Sequence, residues 1–163
     1  MNILKDIHAL LVTNPTNIRY LTGFVGVAPE EREAFVLIAK DKTYLFTNGL
    51  YMEQAKMLPK VELIQISREN PISKELAKLT DQLKIKTLGF EDDNLTVAEF
   101  TKLKQVLTDI ELIPERNRIE EMRMIKNKKE IEHIKLAASI TDKCFKFLTK
   151  RIRPGMTETR LAN

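Results

Sequence analysis

The tightest group of carboxylates in this 163-residue chain is Glu91-Asp92-Asp93. Three acidic side chains in a row could hold a hard cation, but carboxylates just ahead of Thr96 also suit the positive end of a helix dipole. The two histidines, His8 and His133, have no second His and no Cys at ligand spacing, so neither belongs to a zinc-type pattern. His8 falls at a strand start and His133 on the outer face of a long helix. The one cysteine, Cys144, has no partner for an internal disulfide, and a mid-helix apolar position gives it neither a base nor an exposed nucleophile's setting. No G-x-S-x-G turn surrounds Ser67, Ser73 or Ser139, and no glycine-rich phosphate loop occurs. The expectation is a chain with no catalytic residue, metal ligand or cofactor of its own.

One segment is nevertheless specific enough to do something. "LLVTNPTNIRYLTGF", 10–24, opens as a buried strand, breaks at Asn14-Pro15 and then spends Asn17, Arg19 and Tyr20 on a short turn-rich stretch. A structural account has Asn14-Pro15 turning the chain, Asn17 capping a short helical turn, Gly23 ending it with a positive φ, and Leu21 and Phe24 pinning it to a sheet. The other account starts from the habit of open α/β sheets to meet ligands at the loops leaving their strands, and makes Asn14, Asn17, Arg19 and Tyr20 candidates for a substrate cleft.

The elements that must position this loop follow from periodicity. Apolar runs of strand length fall at 8–13, 34–39, 43–47, 61–66, 87–90 and 110–113, and Asp41-Lys42 is short enough to join the second and third as a hairpin. The hairpin makes the sheet mixed. Helical patterns occupy 50–58, 72–83 and 97–107, the last opened by the capping box Thr96-Val-Ala-Glu99; the Asn94-Leu95-Thr96 sequon is read as part of that opening. Alternation of strand and helix up to about residue 114 predicts an α/β layer domain with about six strands.

After Pro114 the character changes. From Asn117 to Ile152 there is no Gly or Pro, and Asn127 could cap a fresh helix start. A stripe through Ile131, Ile134, Ala138, Thr141, Phe145, Leu148 and Ile152, with a second line through Leu136, Ile140, Cys144 and Phe147, makes this helix apolar around much of its circumference. Such a helix wants partners on two sides, and we expect self-association, a homodimer. Arg153-Pro-Gly stops the helix, Thr157-Glu158 opens another, and Asn163 follows barely a turn later; we read the chain as a piece of a longer protein.

Composition sets the outer bounds. With 43 % hydrophobic and 31 % charged residues the chain can bury a real core. Its net charge of +4 comes from 27 Lys+Arg and 23 Asp+Glu mixed along nearly every segment, which is a solvated surface and not a nucleic-acid face. No apolar run approaches the roughly 18 residues of a membrane helix, and the N-terminus lacks a signal-peptide pattern, so the cytoplasm is the expected location.

"TNPTNIRYLTGF", followed by "AFVLIAKDKTYLFTNGLYMEQA" and later "LGFEDDNLT", resembles the N-terminal domain of the Xaa-Pro peptidases: aminopeptidase P, prolidase and the related creatinase. "EEMRMIKNKKEIEHIKLAASITDKCF" and "IRPGMTETRLA" resemble the linker and first helix of that family's catalytic domain. The resemblance implies a creatinase/prolidase-type, ribonuclease H-like domain over 1–114, then 115–163 as the linker and opening helix of a metallopeptidase domain. It also implies a parent enzyme in which a water bridging two divalent ions (Mn, Co or Zn) attacks the peptide bond preceding proline, with ligands of two Asp, one His and two Glu lying beyond this chain. In that setting the N-terminal domain supports oligomer assembly and overhangs a cleft for proline-containing peptides.

Two departures stand out. Where the family often carries Thr-Asp and then Arg-Tyr, this chain has Thr47-Asn48-Gly49-Leu50-Tyr51, which removes any ion pair of that Asp or Arg. The stretch 25–33 is also a longer, more charged excursion than the family's small turn. A peptidase-like interaction module, in which protein binding has replaced catalysis, is the rival reading. Nuclease chemistry on a ribonuclease H-like topology would need several convergent carboxylates, and only the Glu91 cluster is available.

Overall fold

The computed structural model describes residues 3–26 and 32–162. The charged excursion expected after Phe24 therefore falls largely outside the described residues. The chain divides into two compact units, Met1–Arg123 and Met124–Asn163.

The first unit is built on a six-stranded sheet of order β4-β3-β2-β1-β5-β6, with β1 Ala9–Val12, β2 Ala34–Ala39, β3 Thr43–Thr47, β4 Glu62–Gln65, β5 Thr87–Glu91 and β6 Glu111–Glu115. β2 runs antiparallel to both β1 and β3, while β1–β5, β5–β6 and β3–β4 pair in parallel. A mixed sheet follows, as the hairpin required. All the parallel strands therefore begin at one edge of the sheet and end at the other.

Both faces of the central strands are covered, which explains why their sequences read as continuous apolar runs. Ala9, Leu11, Phe35, Leu37, Tyr44 and Phe46 face one core with Leu76 and Leu79 of α3 (Ile72–Gln82) and Leu103 of α4 (Val97–Val106). Leu10, Val12, Ala34, Val36, Ile38 and Leu45 face the opposite core with Ile18 of α1 (Pro15–Thr22), Ala55 of α2 (Met52–Ala55) and Ile119 of α5 (Arg118–Met124). The edge strands β4 and β6 mix half-buried and exposed residues instead. α2 is shorter than the expected 50–58 because Asn48 and Gly49 hold a turn first: the Asn48 Oδ1 accepts the Leu50 N–H at 2.9 Å and its amide donates to Glu33. Asn48 thus donates to a carboxylate from a position where the family's Asp would carry a negative charge.

One expectation at a helix end is corrected. Asn14, not Asn17, caps α1: its Oδ1 accepts the N–H groups of Thr16 and Asn17 at 2.9 and 3.3 Å, Pro15 occupies the first turn, and Gly23 closes the helix at φ 79°. The compact first unit also runs past Pro114 to Arg123, because Ile119 of α5 is buried in the second core and Arg118 binds Glu115 at 2.5–2.8 Å and the Ile3 carbonyl at 2.9 Å. The helical stretch after Pro114 is accordingly interrupted.

The second unit holds α6, Lys128–Thr149, and α7, Glu158–Ala162. Asn127 opens α6 with a reciprocal capping box: its side chain accepts the Glu130 N–H at 3.0 Å, and Glu130 accepts the Asn127 N–H at 2.7 Å. Ile134, Leu136, Ile140, Phe145 and Phe147 are each more than half exposed, and Arg151 stacks over the Phe147 ring at 3.5 Å.

Gly89, in the middle of β5, has no room for a side chain: an added Cβ would lie 2.6 Å from Ile7 Cδ1, 3.0 Å from Glu115 Cγ and 3.1 Å from Leu10 Cδ1. Gly89→Ala is expected to cost about 1–3 kcal/mol by overpacking. Urea unfolding checks this; an unchanged midpoint would show that Ile7 yields freely.

Candidate functional site

The four candidate residues sit where β1 ends and α1 begins, at the sheet edge where the parallel strands terminate. The structure separates them into two pairs. Asn14 and Asn17 turn inward, Asn17 being 1 % exposed, whereas Arg19 and Tyr20 lie on the outer face of α1.

What draws the asparagines inward is Glu91, the last residue of β5 and itself buried. Its Oε2 accepts the Thr13 N–H at 2.6 Å and the Asn14 N–H at 2.7 Å, and its Oε1 accepts Asn17 Nδ2 at 2.6 Å. The Thr13 hydroxyl lies 3.2 Å from the same Oε2 and 3.0 Å from Asn94 Oδ1, so its single proton serves one of them at a time. Asn17 carries the network onward: Nδ2 also donates to Glu120 Oε1 at 2.6 Å, and Oδ1 accepts from Arg123 Nη1 at 2.9 Å, with Arg123 lying 3.9 Å from Glu120. One amide thereby joins β5 to α5 through α1.

Glu91 is thus not the helix-dipole carboxylate of α4 that its position before Thr96 suggested. It serves β1 and α1, and α4 is capped by Thr96 with Glu99 instead. The rest of the acidic cluster is dispersed: Asp92 pairs with Arg116 at 3.0 Å and Asp93 is exposed. Among the described residues no group of three or more His, Cys, Asp or Glu could hold a metal ion. His8 is exposed with Nδ1 2.6 Å from the Thr87 hydroxyl, and His133 is exposed on α6.

Chemically, a carboxylate that accepts from two backbone N–H groups and a buried amide is a fixed structural acceptor. At the strand ends, where open sheets of this type take ligands, Asn17 and Glu91 are bound to each other. Arg19 and Tyr20 are the two candidates left facing outward. Sequence reasoning missed Glu91, Glu120 and Arg123 as partners of Asn17 because their separations of 74, 103 and 106 residues leave no local pattern.

Removing the Glu91 carboxylate strands the buried N–H groups of Thr13 and Asn14, so Glu91→Ala is expected to cost about 2–5 kcal/mol. Arg19→Ala, on the exposed face, should stay within about 0.5 kcal/mol of the parent. Chemical denaturation of both variants tests the assignment; equal stabilities would remove Glu91 from its structural role.

Comparison with known proteins places this arrangement. The family model described as the creatinase/prolidase N-terminal domain matches residues 4–125. An uncharacterized peptidase of Bacillus subtilis is 34 % identical over 158 residues, covering 96 % of this chain and 43 % of that protein. An Xaa-Pro dipeptidase from Bacillus anthracis superposes with a TM-score of 0.81 at 36 % identity, over 96 % of this chain and 42 % of its own. The X-Pro aminopeptidase of Thermotoga maritima superposes with a TM-score of 0.82 at 29 % identity, over 96 % and 44 %. This chain spans less than half the length of these relatives. With the mixed six-stranded sheet and its flanking helices in common, the chain belongs to the creatinase/prolidase N-terminal domain family.

Proposed function

We propose that this chain is the non-catalytic N-terminal domain of a cytoplasmic Xaa-Pro metallopeptidase, which hydrolyses the peptide bond preceding proline. The observation that carries the proposal is the match of nearly the whole chain, α6 included, to under half of an Xaa-Pro dipeptidase. The domain's task is scaffolding: it assists oligomer assembly and shapes access to the substrate cleft. Two divalent ions, Mn, Co or Zn, serve the parent's chemistry. The described residues of this chain do not fit that pair, since they contain no three-ligand cluster. No step of the reaction passes through them.

The clasp on Asn17 supports the scaffold role, because it commits Asn14 and Asn17 to the fold and leaves Arg19 and Tyr20 as the side chains able to meet substrate. The exposed apolar residues of α6 support a homo-oligomer, with a dimer as the expected state.

The test is hydrolysis of Xaa-Pro dipeptides and longer proline-containing peptides with added Mn²⁺, Co²⁺ or Zn²⁺, comparing this chain with the protein extended through the following reading frame. Activity confined to the extended protein is the expected result, and Arg19→Ala in it should raise KM while leaving stability intact. A folded but inactive extended protein would favour the interaction-module reading; unchanged kinetics in the Arg19 variant would remove that residue from the cleft. Sedimentation velocity of this chain should show a monomer–dimer equilibrium, and a concentration-independent monomer would rule the dimer out.

A further inference from the structure

At the sheet edge opposite Asn17, where β1 and β3 begin and β2 ends, lies a half-open cavity of about 410 Å³. Small-molecule sites fall in this size range, roughly 300–1,000 Å³. Its apolar lining comes from Leu83, which closes the C-terminus of α3, and from the buried Ile85.

Two residues of its lining, Tyr44 and His8, carry hydrogen-bonding groups. Tyr44 is 5 % exposed and packs in the core beneath α3, yet its hydroxyl has no hydrogen-bond partner among the described residues and is not sealed from solvent. A phenol buried to that degree normally finds a partner, and Tyr44 lines the cavity. His8 is the second such residue. The Thr87 hydroxyl accepts the His8 backbone N–H at 2.9 Å and stands 2.6 Å from its Nδ1. In one neutral tautomer the hydroxyl proton goes to Nδ1 and the ring proton sits on Nε2; in the imidazolium both nitrogens carry protons. When Nδ1–H instead donates to the hydroxyl, Nε2 of the neutral ring is an acceptor; with the hydroxyl as donor, or in the imidazolium, Nε2–H is a donor on a ring that lines the cavity.

The charges at the rim are unequal in their commitments. Lys42 is bound to Glu62 across β3 and β4, whereas Lys40 has no ion pair among the described residues, and Asp41 is the rim's carboxylate. We infer that this cavity is a binding site for a small organic monocarboxylate with an apolar body, its carboxylate taking Tyr44 O–H and His8 Nε2–H, with Lys40 supplying the charge and Leu83 and Ile85 the apolar contact. A dianion such as phosphate would call for more than one uncommitted cation, and an amine finds a single acceptor in Asp41. The site is independent of the peptidase reading, since it uses no residue of the Asn17 edge.

The experiment is a titration of the whole chain with benzoate at neutral pH, followed by amide proton–nitrogen shifts, with neutral benzamide, benzylamine and inorganic phosphate alongside. Saturable shifts at His8, residues 40–44 and Thr87 are expected with benzoate, and at least tenfold weaker binding with each of the other three. Tyr44→Phe should weaken benzoate at least fivefold at an unchanged melting temperature, because the hydroxyl makes no hydrogen bond with another described residue. His8→Ala, at an exposed position, should weaken it at least threefold and provides a second reading if the Tyr44 variant misfolds. Absence of saturable shifts at these amides, equal binding of any of the three comparison compounds, or unaltered benzoate affinity in either folded variant would overturn the proposal.

Discussion

The burial of one carboxylate sets the terms for half of the first unit. A carboxylate taken out of water is costly unless donors replace its hydration, and Glu91 obtains them from the backbone of Thr13 and Asn14, the Thr13 hydroxyl and the Asn17 amide. Those donors exist in the right place only if β1 ends at Val12, Asn14 starts α1 and Pro15 leaves the first turn with no N–H to satisfy. The path of the chain from β1 into α1 is therefore fixed by charge as much as by packing. Asn17 then has one acceptor and two protons to dispose of, and Glu120 and Arg123 complete it, which is why α5 belongs with the sheet although it follows the last strand.

Hydrophobic packing supplies the frame for this arrangement but would tolerate other versions of it. The alternation that sends Leu11 to one core and Leu10 and Val12 to the other requires helices on both faces, and any amphipathic segment of suitable length satisfies that demand. The direction in which α1 leaves β1 is a finer choice. Apolar burial is non-directional, whereas a carboxylate bound to two successive backbone N–H groups specifies an angle.

This difference between packing and polar geometry governs what the sequence reveals. The strands at 34–39 and 43–47 and the hairpin between them were legible because strand-length apolar runs flanking Asp41-Lys42 report β structure locally. The capping boxes at Thr96 and Asn127 were legible for the same reason, each being complete within four residues. The role of Asn17 was not. Its neighbours suggested a cap, but Asn14 lies three residues earlier with Pro15 behind it and takes the position, while the partners of Asn17 come from distant β5 and α5. The family resemblance located the segment without revealing this, since a motif records which residues recur and not which of them are buried. Arg19 and Tyr20 are exposed, which is what a cleft role requires.

The two edges of the sheet end up with opposite polar accounts. Where the parallel strands finish, the buried side chains described meet partners from within the chain: the Glu91 oxygens, the Asn17 amide and the Thr13 hydroxyl are all engaged. Where they begin, Tyr44 brings a hydroxyl through the apolar core to an opening and leaves it unpartnered among the described residues. Phe46, two residues along the same face of β3, shows that a phenyl ring fills this core without such a group. A hydroxyl at that position is superfluous to packing, because a Phe would bury a similar apolar surface without the need for a donor's partner. The Asn17 edge thus commits its buried polar groups to the fold, whereas the Tyr44 hydroxyl at the other makes no hydrogen bond with a described residue.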